Sequence, residues 1–147
     1  MLLTRLFQAI PFGSVLYRTH LFSAVCSALA AWVLFLFLRQ MLRTDFDSRI
    51  VLTSLPALAA ALAWTLTPIV WMQSRIAEVY ALFALQFALA LWLFVRSIQH
   101  SNRTFPWLAL LLGTMLVHHR LSIFLIALIG LFLVLRIFPR TSAWFTS

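Results

Sequence analysis

The sequence predicts an all-α fold, a polytopic bundle of transmembrane helices, and three observations carry this prediction. Hydrophobic residues make up 64% of the chain and charged residues only 10%, whereas a soluble domain has about 45–50% and about 25%. The mean hydropathy is +1.03. Several apolar runs of roughly 18 residues or more, long enough to cross a hydrocarbon core of about 30 Å, stand between short polar segments. This composition excludes a soluble protein and leaves no room for a separate soluble domain.

The charge pattern indicates which kind of partner the chain contacts. The net charge of +8 comes from 11 basic residues, all of them arginine, against Asp45, Asp47 and Glu78. The arginines lie singly at the ends of apolar runs, where guanidinium groups meet lipid headgroups, so the predicted partner is the lipid bilayer and not a nucleic acid. The single cysteine, Cys26, excludes a disulfide framework and a thiolate metal site.

The first predicted span covers residues 20–38 and ends at Arg39. A stripe of small residues marks the helix face that another helix can approach closely, because small side chains allow close packing inside lipid. The stripe consists of Ala24, Ser27, Ala28 and Ala31. Residues 39–49 contain three arginines and two aspartates, and we expect them to form a solvated loop.

The second predicted span covers residues 50–71, with Pro56 and Pro68 near its ends, where a missing amide donor costs least. A short break at residues 72–75 follows. The third span, residues 76–95, carries a second small-residue stripe with three- and four-residue spacing, made of Ala77, Ala81, Ala84 and Ala88. A polar loop then leads to Pro106 and Trp107, which restart a helix at an interface.

The apolar stretch 107–137 determines the number of spans. About 31 helical residues at 1.5 Å each reach roughly 46 Å, which is too long for one upright crossing and short for two. His118, His119 and Arg120 interrupt the stretch. We favour two short spans, 107–117 and 121–137, which makes five spans in all. One long kinked helix would make four and would place the triplet deep in the membrane, where an unpaired charge costs several kcal/mol.

Five spans place the loops at 39–49 and 96–106 and the C-terminal segment on one side. These segments carry seven of the arginines and the other side carries four, so the positive-inside rule makes the arginine-rich side cytoplasmic. The outer face then receives two polar clusters. One contains Arg75, Glu78 and Tyr80, and the other is His118-His119-Arg120.

Each outer cluster has two interpretations. An ionised Glu78 could orient a cationic or hydroxyl-bearing partner, or it could simply stabilise a helix N-terminus and pair with Arg75 three residues earlier. His118 and His119 could transfer protons or bind an anion, with Arg120 as a bidentate phosphate ligand. The other interpretation makes this triplet an interfacial end of a short helix.

Three stretches of the sequence together resemble a known family. They are Pro11-Phe12-Gly13-Ser14 with the Tyr17-Arg18 that follows, the core Ala77-Glu78-Val79-Tyr80-Ala81-Leu82, and His118-His119-Arg120-Leu121-Ser122. In this order they resemble the protein O-mannosyltransferase-like membrane family, long catalogued as a domain of unknown function within the C-type glycosyltransferase (GT-C) superfamily. The resemblance covers nearly the whole chain, and the Ala-Glu-Val-Tyr core is its most specific part.

The resemblance implies a glycosyltransferase that takes a sugar from a polyprenyl-phosphate donor at the outer membrane face. In such enzymes a carboxylate in the first outer loop acts as general base, and basic groups hold the lipid phosphate. The segment that would carry this carboxylate is not in the chain, so we expect a single GT-C-like domain fragment over residues 1–147 that lacks the remainder of the membrane domain. Glu78 is then the candidate catalytic carboxylate, and Arg75, Tyr80, His118, His119 and Arg120 are candidates for donor-phosphate or substrate binding.

A second function class stays open, that of a small structural or transporter-like helical membrane subunit without catalysis. A transporter should place ionisable groups near the membrane midplane, whereas here the charges lie at the ends of the spans. This placement favours the glycosyltransferase. No cofactor and no metal site are predicted, although the residues leave a divalent metal open. The expected location is a multi-pass position in a membrane, taken to be the bacterial cytoplasmic membrane.

Overall fold

A computed structural model describes residues 9, 11, 13–45, 50–75, 79–99, 104–120 and 122–137. Within these ranges the regular structure is helical and contains no strand, as the fold class predicts. The described helices are α1 (Val15–Asp45), α2 (Ile50–Thr65), α3 (Pro68–Arg75), α4 (Val79–Gln99), α5 (Phe105–His118) and α6 (Ser122–Ile137).

Helix α1 is longer at both ends than the predicted first span. It begins at Val15, after Gly13 in a left-handed conformation with φ of 64°, and after Ser14, whose Oγ accepts a hydrogen bond from the Tyr17 amide at 3.2 Å. It continues to Asp45, so the first part of the expected loop 39–49 is helical instead. The physical reason is that Arg, Gln, Met and Leu, which follow Leu38, are all strong helix formers.

The expected second span, 50–71, is two helices. Helix α2 contains Pro56 in its interior and ends at Thr65, and α3 begins at Pro68. Proline disfavours a helical conformation in the residue before it and suits the first position of a new helix, so the chain turns at residues 66–67. Thr67 stabilises this turn, because its Oγ1 donates to the Trp64 carbonyl at 2.7 Å. The break expected at residues 72–75 was wrong, since those residues belong to α3.

Helices α4, α5 and α6 contain the remaining apolar segments. Helix α4 extends to Gln99, four residues beyond the predicted end of the third span. Helix α5 has a proline in its first turn and ends at His118, and α6 starts at Ser122. The interruption between α5 and α6 therefore falls where the His-His-Arg triplet predicts one, and a single continuous helix over 107–137 is absent.

Helix α4 is the centre of the packing. On one side it contacts α1, which also packs against α2 and α3, and on the other side it contacts α5. A hydrophobic core joins α4 to α5 and α6 through five buried residues, Ala90, Leu108, Met115, Leu125 and Ile129. The Phe94 and Phe132 rings meet edge to face with centroids 5.4 Å apart.

The carboxyl ends of α1 and α4 lie together. Gln40 Nε2 donates to Gln99 Oε1 at 2.6 Å, so the two helices run in the same direction and finish at the same end of the molecule. Helices α2 and α3 lead the chain back between them. This arrangement brings the last turns of α1 and α4 to one end of the molecule.

The two predicted small-residue stripes differ in how many of their residues are buried. On α4, Ala81 and Ala88 are buried as expected, whereas Ala77 lies outside the described residues. On α1 the predicted stripe was wrong in part, because Ser27 is buried whereas Ala24 and Ala28 are exposed. The buried face is rotated by about one residue and consists of Ser23, Cys26, Ser27, Ala30 and Val33. Small residues occur on several faces of α1, and only the position of its neighbours selects one of them.

Two helices are long and apolar enough to cross a membrane by length and composition. They are Val15–Arg43, in which an 18-residue stretch has a mean hydropathy of 2.4, and Tyr80–Gln99, in which such a stretch has 1.9. The remaining apolar segments, Thr53–Thr65, Phe105–Val117 and Ser122–Phe132, are shorter. Among the described residues the structure thus supplies two helices of spanning length, and the five-span bundle remains a prediction.

Candidate functional site

The structure describes part of the two predicted polar clusters. Tyr80 stands in the first turn of α4, and His119 and Arg120 form the junction between α5 and α6. Glu78 lies outside the described residues. Arg75 ends α3 and His118 ends α5, but the side chains of both lie outside the described part of the chain. The geometry of the site therefore concerns Tyr80, His119 and Arg120.

The α5–α6 junction is a tight turn held by hydrogen bonds to the His119 backbone. His119 has an extended conformation, with φ of −146° and ψ of 127°, and its amide donates to the Met115 carbonyl at 2.9 Å. Its own carbonyl accepts from the Ser122 amide at 3.1 Å and from the Ser122 hydroxyl at 2.6 Å. Ser122 is fully buried. These bonds fix the backbone of the turn from which the His119 side chain extends.

The His119 ring packs on the start of α4. Its centroid lies 4.4 Å from that of Phe83 in a stacked arrangement, and 5.7 Å from that of Tyr80 with the planes tilted by 58°. Tyr80 and Phe83 are three residues apart and so share one face of the helix. The two polar clusters are therefore neighbours through Tyr80 and His119, although about forty residues separate them in sequence.

The site combines one apolar ring with three polar side chains. The Phe83 ring supports one face of the imidazole, while Arg120 is exposed and Tyr80 is 45% exposed. Imidazole, phenol and guanidinium can all donate hydrogen bonds, and none of the three groups carries negative charge at neutral pH. This combination suits an anionic or hydroxyl-rich ligand. Within the described ranges no group of three or more His, Cys, Asp or Glu residues could hold a metal ion.

Phe83 is the residue of this site that the sequence analysis missed. It lies within an apolar span, where one phenylalanine among 14 attracts no notice. The available signal was its spacing, since an aromatic pair at positions i and i+3 near a helix start forms a platform for a third ring. The spacing does not reveal which third ring packs on this pair, because only the turn at His119 brings a ring there.

The comparisons with known proteins give one match. A family model described as "Protein O-mannosyl-transferase TMEM260 N-terminal domain" matches residues 1–142, which is nearly the whole chain. The match includes both polar clusters and the Gly13-Ser14 start of α1. No curated protein and no solved structure matches the chain.

Proposed function

Since the chain belongs to the family of the protein O-mannosyl-transferase TMEM260 N-terminal domain, we propose that it forms part of the membrane domain of a glycosyltransferase. The donor in this proposal is a sugar linked to a polyprenyl phosphate, and the acceptor is a hydroxyl group. The site at Tyr80, His119 and Arg120 binds the donor at the outer membrane face. The activity is proposed for the protein that contains this domain.

The surface of the helices supports a multi-pass position in a membrane. Large apolar side chains are exposed along α2, α5 and α6, among them Leu62 at 51%, Val117 at 91% and Phe124 at 73%. A soluble monomer rarely exposes apolar patches larger than a few hundred Å². Surrounding lipid would remove the free-energy cost of exposing these side chains to water. Helices α2, α5 and α6 are too short to cross a membrane upright by themselves. In this proposal each of them either crosses the membrane together with an adjoining segment of the chain or enters the bilayer only partly.

The proposed role of the site is to hold the donor phosphate. Arg120 provides a guanidinium that can bind two phosphate oxygens at once, and His119, the preceding residue, provides a ring N–H. Tyr80 adds a hydroxyl from α4, so groups from two separate helical segments contact one ligand. The stacked Phe83 keeps the imidazole in place, which reduces the entropy that His119 loses on binding.

The proposed transfer breaks the bond between the anomeric carbon and the phosphate oxygen. The acceptor oxygen attacks the anomeric carbon and its proton passes to a carboxylate, while polyprenyl phosphate leaves with the electron pair of the broken bond. Arg120 and His119 would stabilise the negative charge that grows on the leaving phosphate. Glu78, two residues before Tyr80, is the candidate carboxylate of this chain that would accept the hydrogen bond of the acceptor hydroxyl.

The stacking of His119 on Phe83 is the observation that carries this proposal, because it joins the two polar clusters at one end of the bundle. The test uses the full-length protein in lipid nanodiscs with a short-chain polyprenyl-phosphate mannose. Arg120→Gln should weaken donor binding by about tenfold or more, since one hydrogen bond to a charged group contributes roughly 1.5–3 kcal/mol. Glu78→Gln should lower the transfer rate with donor binding unchanged.

The matched control is Arg136→Gln, which removes the same charge near the far end of α6. It should leave donor binding within twofold of the wild type. Unaltered donor binding in Arg120→Gln and in His119→Ala would contradict the proposed site. Equal weakening by the Arg136 variant would show that only the total positive charge matters, which also contradicts it. Circular dichroism of each variant shows whether the helices are retained.

A further inference from the structure

A second polar site lies at the opposite end of α4 from His119. A cleft of about 450 Å³ separates the carboxyl-terminal turns of α1 and α4. We call it the arginine cleft, because three guanidinium groups line it together with two amides and an indole. These residues are Arg39, Gln40 and Arg43 from α1, and Trp92, Arg96 and Gln99 from α4.

Among the described residues that line the arginine cleft, none carries a carboxylate to balance the positive charge. Three cations within one cleft repel each other, and a shared anion would remove this repulsion. Arg39 supplies a second observation, because its Nε is buried and has no hydrogen-bond partner within the part of the chain that the structure describes. A buried donor without a partner is unusual and costs free energy, and an anion bound in the cleft would satisfy it.

Helix-end electrostatics explains only part of this arrangement. Cations are favoured in the last turn of a helix, and Arg43 and Arg96 occupy the last turns of α1 and α4. Arg39 lies six residues before the end of α1, beyond the reach of that effect. Arg96 is also placed by its own helix, with its guanidinium carbon 5.1 Å from the centre of the Trp92 ring. The three arginines thus reach one cleft for different local reasons.

We propose that the arginine cleft binds a phosphate group. Guanidinium groups match the geometry of phosphate oxygens and bind them in pairs, and a volume of about 450 Å³ accommodates a phosphate with its attached headgroup. The Gln40–Gln99 hydrogen bond fixes the distance between the two helices, so the cleft exists before the ligand enters. This site differs from the donor site of the proposed function and lies at the other end of α4.

The phosphate can come from a lipid headgroup or from solution. Helix α1 has 31 residues and is therefore roughly 46 Å long, against about 30 Å of hydrocarbon. Its last turns would extend into the headgroup region, which favours a lipid as the source. That preference rests on the membrane position in the proposed function, whereas phosphate binding itself rests on the cleft.

The test measures lipid retention by native mass spectrometry of the full-length protein released from a nonionic detergent. Phosphatidylglycerol and phosphatidylcholine are offered separately, each with and without excess inorganic phosphate. Wild-type protein should retain phosphatidylglycerol, and the double variant Arg39→Gln/Arg96→Gln should bind it about tenfold or more weakly. Arg43→Gln alone should weaken binding less, and it serves as the variant least exposed to folding defects because Arg43 is on the surface.

The control is Arg18→Gln, which removes one charge from the same helix 21 residues before Arg39, or roughly 32 Å away. Its lipid retention should equal that of the wild type. Displacement by inorganic phosphate, with no difference between the two lipids, would assign a free phosphate to the cleft. Equal phosphatidylglycerol retention in wild type and both cleft variants would overturn the proposal. Donor binding at Arg120, measured separately, distinguishes this failure from a failure of the proposed function.

Discussion

The start of α1 depends on Gly13 and Ser14. Gly13 has a φ of 64°, a conformation that is costly for residues with a Cβ atom, and an added Cβ would lie 3.0 Å from Tyr17 Cδ1. The Ser14 hydroxyl accepts a hydrogen bond from the Tyr17 amide and so satisfies one of the free amide donors at the helix start. Arg18 adds a hydrogen bond from its guanidinium to the Gly13 carbonyl at 3.3 Å. These bonds explain why α1 starts before the apolar run.

Ser14→Ala should destabilise the protein by about 1 kcal/mol, because the Tyr17 amide loses its acceptor while the surroundings stay unchanged. Thermal unfolding in detergent, followed by circular dichroism, measures the effect. Ser14→Asp is the matched control, since aspartate also accepts a hydrogen bond at this position, and it should restore stability to near the wild-type value. An alanine variant as stable as the wild type would show that the cap contributes nothing.

Close packing of helices depends on which face of each helix is buried. Helix α4 uses two faces, because Ala81 and Ala90 are nine residues apart and so lie about 180° apart around the axis. Ala90 belongs to the core with α5 and α6. Ala81 and Ala88 are buried on the opposite face, toward α1. Small side chains on that face let α1 and α4 approach closely enough for Gln40 to bond Gln99.

Ala30→Leu should destabilise the packing of α1 by about 1–3 kcal/mol, because Ala30 is fully buried and a larger side chain has no space. Ala28→Leu is the matched control, since Ala28 lies two residues earlier on an exposed face of the same helix. We expect it to be neutral. Unfolding temperatures of the two variants decide between this face and the stripe that the sequence predicts, and the opposite order of stability would restore the predicted stripe.

At the scale of the whole molecule, the parallel course of α1 and α4 divides the polar groups between two ends. The proposed donor site at His119 lies beside the start of α4, and the arginine cleft lies at its end. Tyr80 of the first site and Arg96 of the second lie 16 residues apart on α4, or roughly 24 Å. If α4 crosses a membrane, as we propose, the two sites face opposite sides of it.

We expect the arginine-rich end to be cytoplasmic and the His119 end to face outside. Single cysteines at Ser48, Ser74 and Ser101, introduced after replacing the buried Cys26 with alanine, report the topology through an impermeant thiol reagent. Ser74 should react from the outside in intact cells, and Ser48 and Ser101 should react only after the membrane is opened. Labelling of Ser48 with protection of Ser74 would reverse the orientation.

The sequence by itself determined the helical class and the family resemblance, because both depend on local properties. Apolar runs, arginines at their ends and the motif Ala-Glu-Val-Tyr are readable without neighbours. It also placed a helix interruption at the His-His-Arg triplet, since three polar residues within an apolar stretch disfavour a continuous buried helix. The family model bears out the resemblance over residues 1–142.

Only the tertiary structure decided which separate residues share a site. Local sequence gave the wrong face of α1, since its small residues occur all around the helix and the positions of α2 and α4 select the buried ones. It could not join His119 to Phe83, or Arg39 to Arg96, because each pair meets through the path of the chain between them. Helix propensity and hydropathy depend on residues that are close in sequence, whereas packing brings together residues that are tens of positions apart.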